Sequence, residues 1–122
     1  MSPALPIAVT CGDPAGIGPE IIAAWMREYP DYADRICPIG PAPWLDSLPA
    51  ANSLACPSGN TLLAPGKPTE QGARIAWEAL QLAAAGCREG RFRGVVTGPV
   101  QKAGLAAVGY PFPGQTEFFA DA

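Results

Sequence analysis

A short apolar run that ends in a glycine-rich turn and a helix start constrains what this chain can become. Pro6-Ile-Ala-Val-Thr-Cys11 is uncharged and β-branched, the pattern of a buried strand. Gly12-Asp13-Pro14-Ala15-Gly16-Ile17-Gly18 follows as a turn. Pro19 and Glu20 then open a helix: the N–H that proline lacks has no helical partner at the first position, and an early glutamate suits the positive dipole end. Ile22, Trp25, Met26 and Tyr29 recur at helical spacing, and Pro30 ends the pattern. Strand, tight turn and helix form the first half of a βαβ unit, which points to an α/β fold.

Thr69–Arg88 reads as a long helix. Ala73, Ala76, Trp77, Leu80, Ala83, Ala84 and Cys87 make one apolar stripe, and Ile75, Ala79 and Leu82 make a second. One stripe is expected to face a sheet, while the other needs a further helix, a further domain or a second subunit. Phe92–Thr97 reads as a buried strand, and Gly98-Pro99 starts a helix to about Ala107. Gln115–Ala120 begins another helix in which Phe118 and Phe119 have nothing to cover them, as if the chain were the front part of something longer. Between Arg35 and Pro68 only Arg35–Ile39 and Asn60–Ala64 resemble strands, because nine prolines or glycines from Pro38 to Gly66 interrupt longer periodicity.

Composition narrows the function. The chain has 122 residues, 48% hydrophobic and 16% charged, with a net charge of −3, a globular balance within the length of one ordinary domain. The acidic balance argues against a nucleic-acid surface or an anionic-membrane anchor. No apolar run approaches the ~20 residues that cross a bilayer. Histidine is absent, which excludes a His-based metal site or triad for this chain alone. Cys11, Cys37, Cys56 and Cys87 form no C-x-x-C pair, so reduced, mostly buried thiols in a cytoplasmic protein are expected.

Three junctions carry candidate chemistry. Gly12–Glu20 places three glycines between a strand and a helix start, where backbone N–H groups can face a phosphate or carboxylate. Its G-x-x-x-G-x-G spacing is neither the dinucleotide fingerprint nor a Walker loop, Asp13 would repel an anion set on it, and a purely structural βα turn fits equally. Thr97-Gly98-Pro99-Val100-Gln101-Lys102 repeats the geometry and sets Lys102 in a first helical turn, where the dipole disfavours a cation unless an anion or solvent meets it. Pro113-Gly114-Gln115-Thr116-Glu117 puts an amide and a hydroxyl at a third helix start, with Thr116 also suited to an N-cap. All three are expected at the ligand-binding edge of an open α/β sheet.

These segments, Gly12–Glu20, Thr97–Lys102 and Phe112–Phe118, resemble in order the N-terminal signatures of the 4-hydroxythreonine-4-phosphate dehydrogenases, the PdxA-type enzymes of pyridoxal phosphate biosynthesis. The resemblance runs from about Ile7 to Asp121. It implies a three-layer αβα open mixed sheet of the isocitrate/isopropylmalate dehydrogenase-like type, with residues 1–122 as the N-terminal part of a two-domain enzyme and the second half absent. It further implies NAD-dependent oxidation of a phosphorylated hydroxy amino acid, then decarboxylation, in a homodimer with a divalent metal (Zn, Mg or Co) as Lewis acid.

Site residues follow from two sources. The family's Gly-His-Thr-Glu falls on Gly114–Glu117, so Gln115 and Thr116 are implied substrate contacts, with Gln115 replacing an imidazole by an amide that carries no proton at pH 7. Lys102 is assigned to an anionic group of the substrate, and Gly12, Asp13, Gly16 and Gly18 to the cofactor or interdomain cleft, from the residues themselves. No catalytic or metal-ligating residue is assigned, and neither NAD nor metal is expected to be fully held by this chain. The isolated chain is therefore expected to be inactive and prone to associate, with Ile75, Leu82, Phe118 and Phe119 lacking partner surface. Alternatives are a non-catalytic phosphate-ester-binding remnant, a partner-dependent structural fragment, or, within the family, a cis-dihydrodiol carboxylate dehydrogenase.

Overall fold

The computed structural model describes residues 5–50, 52–57, 70–99 and 120. β1 (Ile7–Thr10) leads to α1 (Gly18–Glu28), a 3-10 helix (Pro30–Arg35) and β2 (Ile36–Gly40). α2 (Ala42–Leu45), β3 (Leu54–Ala55), α3 (Glu70–Arg88) and β4 (Gly94–Thr97) follow. The sheet runs β3-β2-β1-β4, and its three pairings are all parallel. An antiparallel strand of the kind a mixed sheet needs is not among the described residues.

The register is regular. Ile7 lies between Ile36 and Gly94, and Thr10 lies between Ile39 and Thr97. β2 is buried along its whole length, including Pro38. Proline cannot donate to a ladder, and it is tolerated here where β3 pairs only from Ile39 onward.

The core joins Ala8 and Cys11 to Cys37, Ile39, Trp44, Leu45, Cys56 and Phe92, with Ile75, Ala79 and Ala83 of α3 packed on it. Ile75 and Leu82 thus have their partners within the chain, contrary to expectation: the Ile75/Ala79 stripe is the one on the main core. Ala73, Ala76, Leu80 and Ala84 of the other stripe are buried as well. The helical spacing of α1 also divides differently from the sequence pattern. Ala23 and Met26 are buried and Ile22 is partly buried, whereas Trp25 and Tyr29 are exposed. Phe92 is buried, but β4 is only half-buried and Val96 is 56% exposed, because β4 has a described neighbour on one side alone.

The four cysteines are free, three of them buried and Cys87 half-buried. The 3-10 helix and α2 were not legible in the sequence, and the segment Asn60–Ala64 and the helices expected after Pro99 and at Gln115 lie outside the described residues, Ala120 apart.

Candidate functional site

Parallel strands end on one edge, so Thr10, Gly40, Ala55 and Thr97 share a rim. The winding reverses between β1 and β4, since β2 and β3 build outward on one side of β1 and β4 lies on the other. In open α/β sheets ligands meet the carboxyl ends of the strands at this reversal.

Two of the three candidate junctions meet there. The Gly98 N–H donates to the Thr10 carbonyl oxygen at 2.9 Å, with the buried Thr10 Oγ1 at 3.3 Å, and the Asp13 N–H donates to the Pro99 carbonyl oxygen at 2.9 Å. Gly12 sits at φ +70°, and a Cβ there would collide with the Pro99 carbonyl oxygen. A Cβ at Gly98 would lie 2.6 Å from the Cys11 carbonyl oxygen. These glycines let the two chain segments cross at backbone distance.

Within the turn, an Asp13 carboxylate oxygen accepts the Ala15 N–H at 2.9 Å, and the Asp13 carbonyl accepts the Gly16 N–H at 2.9 Å. The amides of residues 13, 15 and 16, expected to face a ligand, are instead used by the protein itself. Gly18 begins α1 packed on the Cys11 carbonyl and the Pro99 ring. No side chain caps α1. Its first turn is held by Trp44, whose Nε1–H donates to the Pro19 carbonyl at 3.1 Å in a buried position. Thr10 and Trp44 are the two rim-supporting side chains that sequence reasoning missed. Thr10 ends an apolar strand run and was open to detection, whereas nothing near Trp44 in sequence points to Pro19.

Cys11 closes the floor of the rim, its thiol donating to the Gly12 carbonyl at 3.0 Å. Burial raises its pKa far above the ordinary thiol value, and the neighbouring Cys56 adds to the shift. Cys56 is pushed up to about 12 by burial and by Glu78, and burial raises Cys37 as well. Neutral, enclosed thiols are packing groups and not nucleophiles.

Gly12, Asp13, Gly16 and Gly18 are therefore brought together with Gly98 and Pro99. Lys102, Gln115 and Thr116 lie outside the described residues. Among the described residues no group of three His, Cys, Asp or Glu side chains is placed to hold a metal, so they do not fit one, and the closed turn leaves no open amide cradle at residues 13, 15 and 16 for a dinucleotide. No described helix is long and apolar enough to cross a membrane. A cavity of about 570 Å³ lies elsewhere, beside Ile7 and Ile36 at the starts of their strands.

The fold and rim define an open, parallel α/β protein whose glycine-rich junctions converge at the winding reversal. Comparison gives the particular family: the sequence model for pyridoxal phosphate biosynthetic protein PdxA matches residues 32–122, and the chain belongs to that family. It is 38% identical to 4-hydroxythreonine-4-phosphate dehydrogenase of Zymomonas mobilis, over 95% of this chain and 40% of that protein. The crystal structure of the Klebsiella pneumoniae 4-hydroxythreonine-4-phosphate dehydrogenase superposes with a TM-score of 0.78 at 27% identity, covering 97% of this chain and 43% of the other. A terephthalate 1,2-cis-dihydrodiol dehydrogenase of Burkholderia xenovorans, at 23% identity and a TM-score of 0.70 over 96% and 41% of the two chains, shares the fold. The chain thus spans about two-fifths of the length of the curated relatives it matches.

Proposed function

We propose that this chain supplies the N-terminal α/β part of an NAD-dependent oxidoreductase of the 4-hydroxythreonine-4-phosphate dehydrogenase type, serving oxidation and decarboxylation of a phosphorylated hydroxy amino acid in pyridoxal phosphate biosynthesis. The observation that carries the reading is the PdxA match across residues 32–122, joined to a rim where Gly12–Asp13 and Gly98–Pro99 are fastened together. Reversed winding about β1 favours the three-layer αβα arrangement of the isocitrate dehydrogenase-like type, because right-handed crossovers in opposite directions set their helices on opposite faces. The setting in this reading is a cytoplasmic homodimer.

In this reading Lys102 meets the substrate phosphate as a point charge, and Gln115 and Thr116 hydrogen-bond the substrate without moving a proton. Gly12, Asp13, Gly16 and Gly18 shape the edge of the cofactor or interdomain cleft as a closed turn, offering no free amide at residues 13, 15 and 16. In this reading the contribution of this chain is to bind and orient, and on its own it does not turn over.

The test is to titrate the purified chain with inorganic phosphate while following backbone amide shifts, and separately to assay reduction of NAD with 4-hydroxythreonine 4-phosphate and a divalent metal. Shifts at residues 98–102 and 115–116 that vanish in Lys102→Ala, with no turnover, are expected. Phosphate that leaves those amides unmoved, or NADH formed by this chain alone, overturns the reading.

A further inference from the structure

The cavity beside Ile7 and Ile36 opens at the starts of the strands, on the edge of the sheet opposite the glycine-rich rim. Ile7 to Thr10 covers three residue steps, so about 10 Å of strand separates the two. At about 570 Å³ the cavity has the size that takes a small organic molecule. One wall is aromatic: Trp25 and Tyr32 both line it, each 42% exposed, with ring centroids 5.9 Å apart and planes inclined by 34°. Two part-exposed rings at the side of a cavity offer faces on which a planar ring stacks.

The charges around the cavity select its ligand. Strand register sets Ile36 and Gly94 on either side of Ile7, so the preceding Arg35 and Arg93 flank Pro6, about 10 Å apart at their α carbons. The Arg93 N–H donates to the Pro6 carbonyl at 3.1 Å, which fixes the root of that arm. The Arg35 guanidinium lies 5.0 Å over the Tyr32 ring, held by the aromatic face while its charge stays unneutralised. Neither arginine has a carboxylate partner among the described residues, although the chain as a whole carries a charge of −3. Both line the cavity, and paired guanidinium groups match the geometry of a phosphate. Asp34 on the same lining accepts hydrogen bonds and donates none when ionised, which suits an amino or hydroxyl group on the uncharged part of a ligand. A free phosphate would use the arginines and leave the rings idle.

We propose that this cavity binds a phosphorylated heteroaromatic compound of mononucleotide size. Its ring lies against Trp25 and Tyr32, its phosphate between Arg35 and Arg93, and an amino or hydroxyl group donates to Asp34. The site shares no residue with the Gly12–Pro99 rim and is independent of the proposed enzymatic role.

The experiment is to titrate the whole chain with adenosine monophosphate, adenosine and inorganic phosphate in turn, following the three tryptophan indole N–H resonances and the backbone amides. Trp25→Phe assigns the Trp25 indole signal. Adenosine monophosphate is expected to shift that signal and the amides of residues 32–36 and 93–94 saturably, with a Kd below about 1 mM. Adenosine and phosphate should each bind about tenfold more weakly or worse, since each makes only part of the contacts. Arg35→Gln and Arg93→Gln should each weaken the mononucleotide about fivefold to tenfold and leave adenosine unchanged, whereas Trp25→Ala should weaken both. Far-UV circular dichroism of every variant should match the parent, because these side chains are exposed. A mononucleotide that fails to saturate in that range overturns the proposal. So do shifts centred on residues 12–18 and 98 instead of the cavity, phosphate binding as tight as that of the mononucleotide, or arginine variants that bind as the parent does.

Discussion

The backbone N–H of Asp13 donates to the carbonyl oxygen of Pro99 at 2.9 Å, so turns far apart in sequence are closed on each other at the carboxyl edge of the sheet. The bond shares its neighbourhood with the Gly98 donation to Thr10. The path of the chain through Gly98 and Pro99 is therefore set by the turn after β1, and substitutions in that turn should be felt at both junctions.

Gly12→Ala is the sharpest test of this closure. The alanine must adopt φ +70° and its Cβ would strike the Pro99 carbonyl. The left-handed conformation alone costs roughly 1–2 kcal/mol, and backbone displacement adds to it, giving an expected loss of about 2–4 kcal/mol in urea unfolding. Gly90→Ala is the control: φ is +76° but nothing lies within 4 Å of its Cβ, so only the conformational cost of roughly 1–2 kcal/mol applies. Equal losses in the two variants would show that the crossing of the chains contributes nothing.

Asp13 separates a structural carboxylate from a ligand-facing one. Its side chain accepts the Ala15 N–H inside a nearly buried turn. Asp13→Ala should cost about 1 kcal/mol, and Asp13→Asn, which keeps the acceptor oxygen, should cost much less. The check is the difference between the two unfolding midpoints at constant slope. An asparagine variant as damaged as the alanine variant points to a role for the negative charge itself.

Trp44→Phe keeps most of the ring and removes one donor. The Pro19 carbonyl in the first turn of α1 then loses the buried indole donor that adds to its helical bond, at a cost of about 0.5–1.5 kcal/mol. Amide exchange should report where the loss falls, with faster exchange at the start of α1 and unchanged exchange in the central strands. A uniform rise across the molecule would contradict a local pin.

The strand–turn–helix signals at Ile7–Glu28 and Glu70–Arg88 were legible because each pattern is local: β-branched runs, a proline at a helix start, an apolar period of 3.6. What the sequence could not express was which side each apolar residue turns to. Ile75 and Trp25 look alike as members of stripes, yet one is in the core and the other on the surface, because the sheet decides the buried face only after β4 has crossed to the far side of β1. The site was half legible for the same reason. Gly12 and Gly98 announced turns, but that their missing side chains make room for each other is a long-range fact. Lys102, Gln115 and Thr116 were singled out by motif alone and lie outside the described residues.

The buried thiols fix how stability responds to alkali. Cys56 rises from an ordinary thiol value of 9.0 to about 12, and Cys11 and Cys37 are raised too, in each case chiefly because burial penalises the thiolate. The unfolded chain releases these protons near pH 9 while the folded chain retains them. Above that pH the unfolded state binds fewer protons, so the unfolding free energy falls. Below pH 9 these groups give no slope. The expected profile is flat in the thiol contribution up to about pH 9 and declines from there through pH 12. Cys56→Ala should flatten part of that decline while lowering stability near neutrality, because a buried thiol is replaced by a cavity. The companion measurement is thiol labelling under native conditions at pH 8, where half-buried Cys87 should react first and Cys11 only as fast as the protein opens. Rapid native labelling of Cys11 would mean that the floor beneath Gly12 is open to solvent, and the closed rim would then have to be abandoned.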